Sequence, residues 1–245
     1  LGASINKKKI NLDVNEQMPY LSFLAINYNI PIIAQVQKWF ESCIIRSYSI
    51  PEFEQRIMMV ENSEMKDLII RALNDLGINI TDYRYDQEKK RFYTLRNING
   101  TEYALPFEDE SDGTKKLLAV LPVLMIALRE GRLVVIDELD AKLHPKLLTY
   151  IIRLFKNKNI NRYGAQLLFT SHDLTTMRNS IFRRDEIWFV ATDENHSSQI
   201  YSLYDIRNVD GTHVNNTAAF DKQYLEGRYG ADPYLQNMLD GGAWD

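Results

Sequence analysis

The apolar positions of this chain change their period along its length. From Pro31 to Tyr48, Ile33, Val36, Phe40, Cys43 and Ile44 recur every three or four residues, the spacing of one helix face, and Trp39 widens the stripe. Met58 to Val60 and Met65 to Leu76 continue as helices. The second puts Met65, Leu68, Ile69, Ala72, Leu73 and Leu76 on one face and meets a C-terminal stop at Gly77. From Ile78 the period falls to two. Ile80 to Tyr85, Arg91 to Arg96 and Thr101 to Leu105 read as antiparallel strands, with Asn99-Gly100 supplying the positive-φ residues of a tight hairpin. Phe107 to Gly113 is an acidic linker. A helix from Thr114 then carries Leu117, Leu118, Leu121, Leu124, Met125 and Leu128 on a broad apolar face, with Pro122 inside it predicting a kink.

The pattern culminates in Leu133-Val134-Val135-Ile136-Asp137-Glu138. Four consecutive apolar residues, three of them β-branched, predict a strand buried on both faces, and two acids follow where it leaves the core. Leu139 to Pro145 is a polar turn, Lys146 to Lys156 an amphipathic helix, and Gln166 to Asp173 a second strand with a polar end. A crossover of this kind makes its two strands parallel, so Asp137-Glu138 and Ser171-His172 emerge at the same carboxyl edge, where open α/β sheets bind ligands. Glu186 to Ala191 reads as a third core strand, joined to Gln199 to Tyr204 through the turn Asp193 to Ser198, and the sheet is expected to be mixed. The expected class is α/β, divided into a helical region over 1–77 and a lobe over 78–245.

Composition narrows the function classes. The 45% apolar and 25% charged residues of the 245 are those of a globular chain able to bury a core, and the net charge of −4 offers no global attraction to nucleic acid or anionic membrane. The Lys7-Lys8-Lys9 run reads as a solvated loop. The single cysteine, Cys43, excludes an internal disulfide and a multi-thiolate metal site, and its apolar neighbours predict a buried thiol in a reducing, cytoplasmic setting. No apolar run approaches the roughly 18 residues of a membrane span.

The chemistry concentrates at the predicted edge. An acid pair after an apolar strand suits a nucleotide hydrolase, in which the first carboxylate holds magnesium and the second orients the attacking water; the plain alternative is an exposed strand end that happens to be acidic. Asp137, Glu138, Asp140, His144 and His172 could instead form a metal nuclease centre, though the acids crowd into one turn. Ser171-His172-Asp173 has the letters of a hydrolase triad, yet adjacent side chains on an extended segment point apart, and Asp173 reads as an N-cap for Leu174 onward. Ser111 and Gly113 opening a helix make either an anion site or an ordinary serine cap.

The order and spacing of these segments resemble the second half of an ABC-type ATPase domain, of the AAA-labelled kind found in bacterial abortive-infection and phage-defence ATPases, with kinship to SMC- and RecF-like repair ATPases. Ser111-Asp112-Gly113-Thr114-Lys115 resembles the signature motif, Leu133 to Glu138 the Walker B strand, Asp140 to Pro145 the D-loop, and His172 the switch histidine; Tyr224 to Tyr234 resembles the closing segment of the defence enzymes. The resemblance implies the P-loop NTPase sandwich of ABC type, ATP and magnesium as cofactors, and nucleotide-driven dimerisation. It implies Asp137 in the metal shell, Glu138 as general base or water-positioner, His172 at the γ-phosphate, and Ser111, Asp112, Gly113, Thr114 and Asp140 as nucleotide contacts at a dimer interface. It also brings a homodimer or homo-oligomer, a toxin or nuclease effector and DNA into view as partners, and no membrane. The family's Gly-x-x-x-x-Gly-Lys-Ser/Thr phosphate loop occurs nowhere in the chain. Its place in the family is upstream, so the start at Leu1 without Met leads to the expectation of an incomplete ATPase unit, inactive alone. No glutamine-loop residue is assigned, Gln35 and Gln37 reading as surface positions. A regulatory scaffold holding an effector without turnover is the alternative.

Overall fold

The computed structural model describes residues 17–47, 63–192, 196–208 and 210–231. The predicted helix at Met58 to Val60, the Lys7 to Lys9 run and the final residues of the closing segment lie outside these. Helices α1 (Tyr20–Asn27) and α2 (Pro31–Glu41) are followed by strand β1 (Ile44–Ser47), helix α3 (Ser63–Asp75) and strands β2 (Asp82–Asp86), β3 (Arg91–Ile98) and β4 (Thr101–Pro106). Helix α4 (Asp112–Glu130) leads to β5 (Leu133–Asp137), α5 (Pro145–Lys156) and β6 (Gln166–Phe169); strands β7 (Trp188–Thr192) and β8 (Ser198–Ser202) and helix α6 (Phe220–Leu225) complete the order.

The sheet that bears the acid pair is parallel, in the order β1-β5-β6. Its first strand corrects the reading of Pro31 to Tyr48 as one helix: α2 stops at Glu41, and Ile44–Ser47 pairs in register with Val134–Asp137. The helical spacing misleads here because Cys43 and Ile44 continue the stripe of α2 by coincidence, while the strand is made by its distant partner. Cys43 is half-buried rather than buried, its thiol directed at the Trp39 carbonyl at 3.4 Å. The strand Glu186 to Ala191 is realised as β7 but among the described residues pairs with β8 alone, antiparallel, over a separate core of Ile187, Phe189, Leu203, Val214, Phe220 and Tyr229. Parallel and antiparallel strands are thus segregated among the described residues, not mixed in one sheet.

The expectation that β5 is buried on both faces is met on one. Val134 and Ile136 are fully buried with Leu148, Ile151 and Ile152 of α5 and the apolar residues of α4, whereas Val135 on the other face is only half-buried and lies level with exposed Ile45 and Leu168. Both α4 and α5 contribute to the core on the Val134 side. Helix α4 crosses that core: every residue from Lys116 to Leu124 is buried, and the helix continues through Pro122. It ends in Gly131, at φ 68°, where a Cβ would run into the Tyr163 carbonyl, so the turn from α4 into β5 admits glycine on two grounds.

The antiparallel sheet β2-β3-β4, closed by a hairpin with Asn99 and Gly100 at φ 53° and 83°, holds the start of α4. Arg96 of β3 donates to both oxygens of buried Glu110 at 2.6 and 2.9 Å, Thr94 donates its hydroxyl to the same carboxylate, and the charged acceptor raises the Arg96 guanidinium above its ordinary range. Glu110 immediately precedes the N-cap of α4. No helix among the described residues is long and apolar enough to cross a membrane.

Tyr83 of β2, 5% exposed and packed against Phe92, has its phenol pushed up to about 12 from 10.0 by burial and, secondarily, by the neighbouring Asp82 carboxylate. Between those values the unfolded chain releases the proton and the folded chain keeps it, so stability present below pH 10 is lost as the pH rises toward 12. Tyr83→Phe should remove on the order of 2 kcal/mol of this alkaline loss, read as the difference between urea unfolding curves at the two ends of that window.

Candidate functional site

Strand β5 ends with its acid pair held in place from two sides. Thr170, one residue beyond β6, donates its hydroxyl to Asp137 Oδ1 at 2.6 Å and accepts the Glu138 N–H at 2.8 Å. The backbone continues the pairing around it, Thr170 N–H to the Ile136 carbonyl and Leu139 N–H to the Thr170 carbonyl, both at 3.1 Å. Glu138 is left-handed at φ 50°, an uncommon conformation for a residue with a side chain. The bend lets Leu139 drop into the core, fully buried, while the Glu138 carboxylate stays in solvent. On the other side of the peptide, the Lys116 ammonium of α4 donates to the Glu138 carbonyl at 2.7 Å. Burial lowers the Lys116 ammonium from the ordinary lysine range, and the Asp140 and Glu138 charges oppose that effect.

The structure brings most of the expected edge residues together. His172 Nε2 stands 3.9 Å from Glu138 Oε1, with the two side chains 87% and 57% exposed, so both heads face open space at the sheet edge. The His172 N–H donates to Asp140 Oδ2 at 3.2 Å, while Asp140 Oδ1 is screened from solvent with no hydrogen-bond partner among the described residues. Asp173 caps the short 3-10 turn Leu174–Thr176 through the Thr175 N–H, as its position suggests, and Ser171 accepts from the Asp173 N–H. His144 stands apart from this group, because its Nδ1 accepts the Lys146 N–H and caps α5. Among the described residues no three His, Cys, Asp or Glu side chains converge as a metal cluster.

The second group of residues surrounds the start of α4. Ser111 is its N-cap, accepting the Thr114 N–H at 3.2 Å with the two hydroxyls 2.8 Å apart. The helix begins at Asp112, two residues earlier than the sequence suggests, which puts Gly113 inside its first turn. There the lack of a side chain serves close approach, since a Cβ would stand 3.2 Å from the Lys142 carbonyl. Asp112 reaches the Lys142 ammonium at 3.2 Å. The stretch Ser111 to Thr114 therefore rests on the Asp140 to Lys142 turn, which begins two residues after Glu138.

The donor set fits the chemistry of a magnesium nucleotide. Magnesium is commonly held by one or two carboxylates together with phosphate oxygens and water, not by a cage of protein ligands, and Asp137 with one oxygen fixed by Thr170 meets that demand at an open edge. Thr170 is the residue that sequence reading missed. Its position one step beyond Phe169, which pairs with Ile136, is the available signal: parallel register brings it level with Asp137.

A family model described as "AAA domain, putative AbiEii toxin, Type IV TA system" matches residues 4–178. No curated protein matches the chain. Solved structures similar to it include one titled for ATP-driven dimerization and DNA-stimulated activation of SMC ATPases, with 17% identity, TM-score 0.37, and 56% of this chain aligned to 88% of that one. An SMC head bound to the C-terminal winged-helix domain of ScpA matches at 14% identity and TM-score 0.38, over 57% of this chain and 41% of the other. CbiO1 of Clostridium perfringens, part of the ABC transporter complex CbiONQ, matches at 20% identity and TM-score 0.29, over 61% and 53%.

Removing the clamp on the acid pair has a measurable cost. Thr170→Val, nearly isosteric, takes away the donor to Asp137 and the acceptor of the Glu138 N–H; stability in urea should fall by about 1–2 kcal/mol, and Thr170→Ser should recover most of it.

Proposed function

The chain belongs to the AAA-domain family whose description names an AbiEii toxin of type IV TA systems, and on that premise we propose that its acidic sheet edge serves ATP hydrolysis coupled to the association of two ATPase domains. The observation that carries the reading is the opposition of Glu138 and His172, with carboxylate and imidazole 3.9 Å apart beside a fixed Asp137. Asp137 would hold magnesium, which when bound neutralises phosphate charge. Glu138, with its backbone gripped and its carboxylate in solvent, orients and deprotonates a water. His172 faces the position where a terminal phosphate would lie above the edge.

In this proposal Ser111, Asp112, Gly113 and Thr114 present the amide end of α4 to a nucleotide carried by a second copy. Such an end attracts anions because its first N–H groups lack helical partners and the helix dipole is positive there. Asp140, with one oxygen unpartnered among the described residues, stands in the turn that supports this end. The chain contains no Gly-x-x-x-x-Gly-Lys-Ser/Thr, so the proposal requires a phosphate cradle supplied from outside these residues. The setting proposed is cytoplasmic phage defence, or DNA maintenance by the kinship read from the sequence, with a toxin or nuclease effector as the element controlled.

Glu138→Gln in the full-length protein tests the reading. Turnover should fall by roughly 10²-fold or more, while an ATP-dependent dimer accumulates in size-exclusion chromatography with light scattering. Hydrolysis at the parent rate would remove Glu138 from the mechanism, and a parent protein that never hydrolyses ATP would favour a scaffold that holds an effector without turnover.

A further inference from the structure

Lys116 is 1% exposed and opens the stretch of α4, residues 116–124, in which every residue is buried. Packing alone would favour an apolar residue there, because burying an ammonium is costly unless it is specifically bound. The bond it makes is to a neutral acceptor, the Glu138 carbonyl at 2.7 Å, and no carboxylate among the described residues lies within ion-pair distance of its nitrogen. That carbonyl also accepts the Ala141 N–H at 3.1 Å, so one lysine fixes both the peptide after the acid and the turn that follows. Lys116 lies four residues after Asp112, on the same side of the helix, and Asp112 grips the same turn from outside through Lys142.

We propose that Lys116 is a positioning residue: it ties the helix whose N-terminus carries Ser111 and Gly113 to the backbone of Glu138, and so sets the aim of the Glu138 carboxylate. The proposal rests on the ATPase reading given above. Two peptide groups of Glu138 are held by side chains from different elements, the N–H by Thr170 and the C=O by Lys116, and the residue between them is left-handed. With the N–H fixed to the sheet and the C=O fixed to α4, a displacement of α4 relative to β5 rotates the Glu138 unit. Its exposed side chain then swings relative to Asp137, which Thr170 keeps with the sheet. Lys116 thereby connects the surface proposed to meet a second copy with the residue proposed to activate water, without itself touching nucleotide.

The test compares Lys116→Met and Lys116→Arg in the full-length protein. Lys116→Met matches the side chain as far as Cε and removes only the donor beyond it. It is expected to lower kcat by roughly ten- to a hundredfold with KM changed less than about threefold, because aim is lost and binding is not. Lys116→Arg, which retains a cationic donor, should recover most of the rate, and the nucleotide-dependent dimer should form in both. In hydrogen exchange, amides of residues 137–143 should exchange about tenfold faster in Lys116→Met while those of 118–128 stay as in the parent. A folded Lys116→Met with parental kcat, unchanged exchange over 137–143, or failure of Lys116→Met to fold would each overturn the proposal. A parent that shows no ATP hydrolysis refutes the ATPase reading instead, and the exchange comparison then still decides whether Lys116 holds the Glu138 backbone.

Discussion

The acidic edge depends on β5 being paired on both sides in parallel. Because Ile136 is level with Phe169 on one flank and Asp137 with Ser47 on the other, the end of β5 cannot slide, and Thr170, the residue after Phe169, falls beside the acids. Thr170 is placed by that register and converts it into chemistry by binding one carboxylate and one amide. A one-residue slip would put Val135 and Leu133 into the core in place of Val134 and Ile136, and would move Thr170 away from Asp137. The apolar packing of α4 and α5 against Val134 and Ile136 therefore holds the site as surely as any polar contact in it.

A second constraint acts from the antiparallel sheet. Glu110 is buried one residue ahead of the α4 cap, and its two oxygens are taken by the Arg96 fork and the Thr94 hydroxyl. Removing Arg96 would strand the Glu110 carboxylate, only 3% exposed, away from water, which is strongly destabilising, whereas the intact pair mainly specifies geometry. What it specifies is where α4 begins, and hence where Ser111, Asp112 and Gly113 stand over the Asp140 to Lys142 turn. The two sheets, one parallel and one antiparallel, meet at this one helix.

Much of this was legible from residue order. The hairpin at Asn99-Gly100, the helix from Met65 to Leu76, the crossover through α5 and the acids after Ile136 follow from periodicity and turn chemistry, which are local properties. Strand β1 was not legible because four residues, Ile44–Ser47, carry too little pattern of their own; they become a strand through a partner about ninety residues away. The separation of β7 and β8 from the parallel sheet has the same origin, since an apolar alternation does not say which edge will receive it. Lys116 reads as a polar position near a helix start, and only the passage of α4 through the core makes it a buried donor. His144 offered a ligand by residue type and serves as a cap by position.

Gly131 lies at the opposite end of β5 from the acids, between α4 and the strand, with a left-handed backbone and the Tyr163 carbonyl against its α-carbon. Any side chain there must push the Tyr163 segment or the strand, and β5 transmits a push along its own length. In a genetic screen this position would score with changes at Asp137 and Glu138 although it lies at the other end of the strand. Sensitivity mapped along this chain would thus trace the mechanical path that aims the edge, rather than the outline of the edge itself.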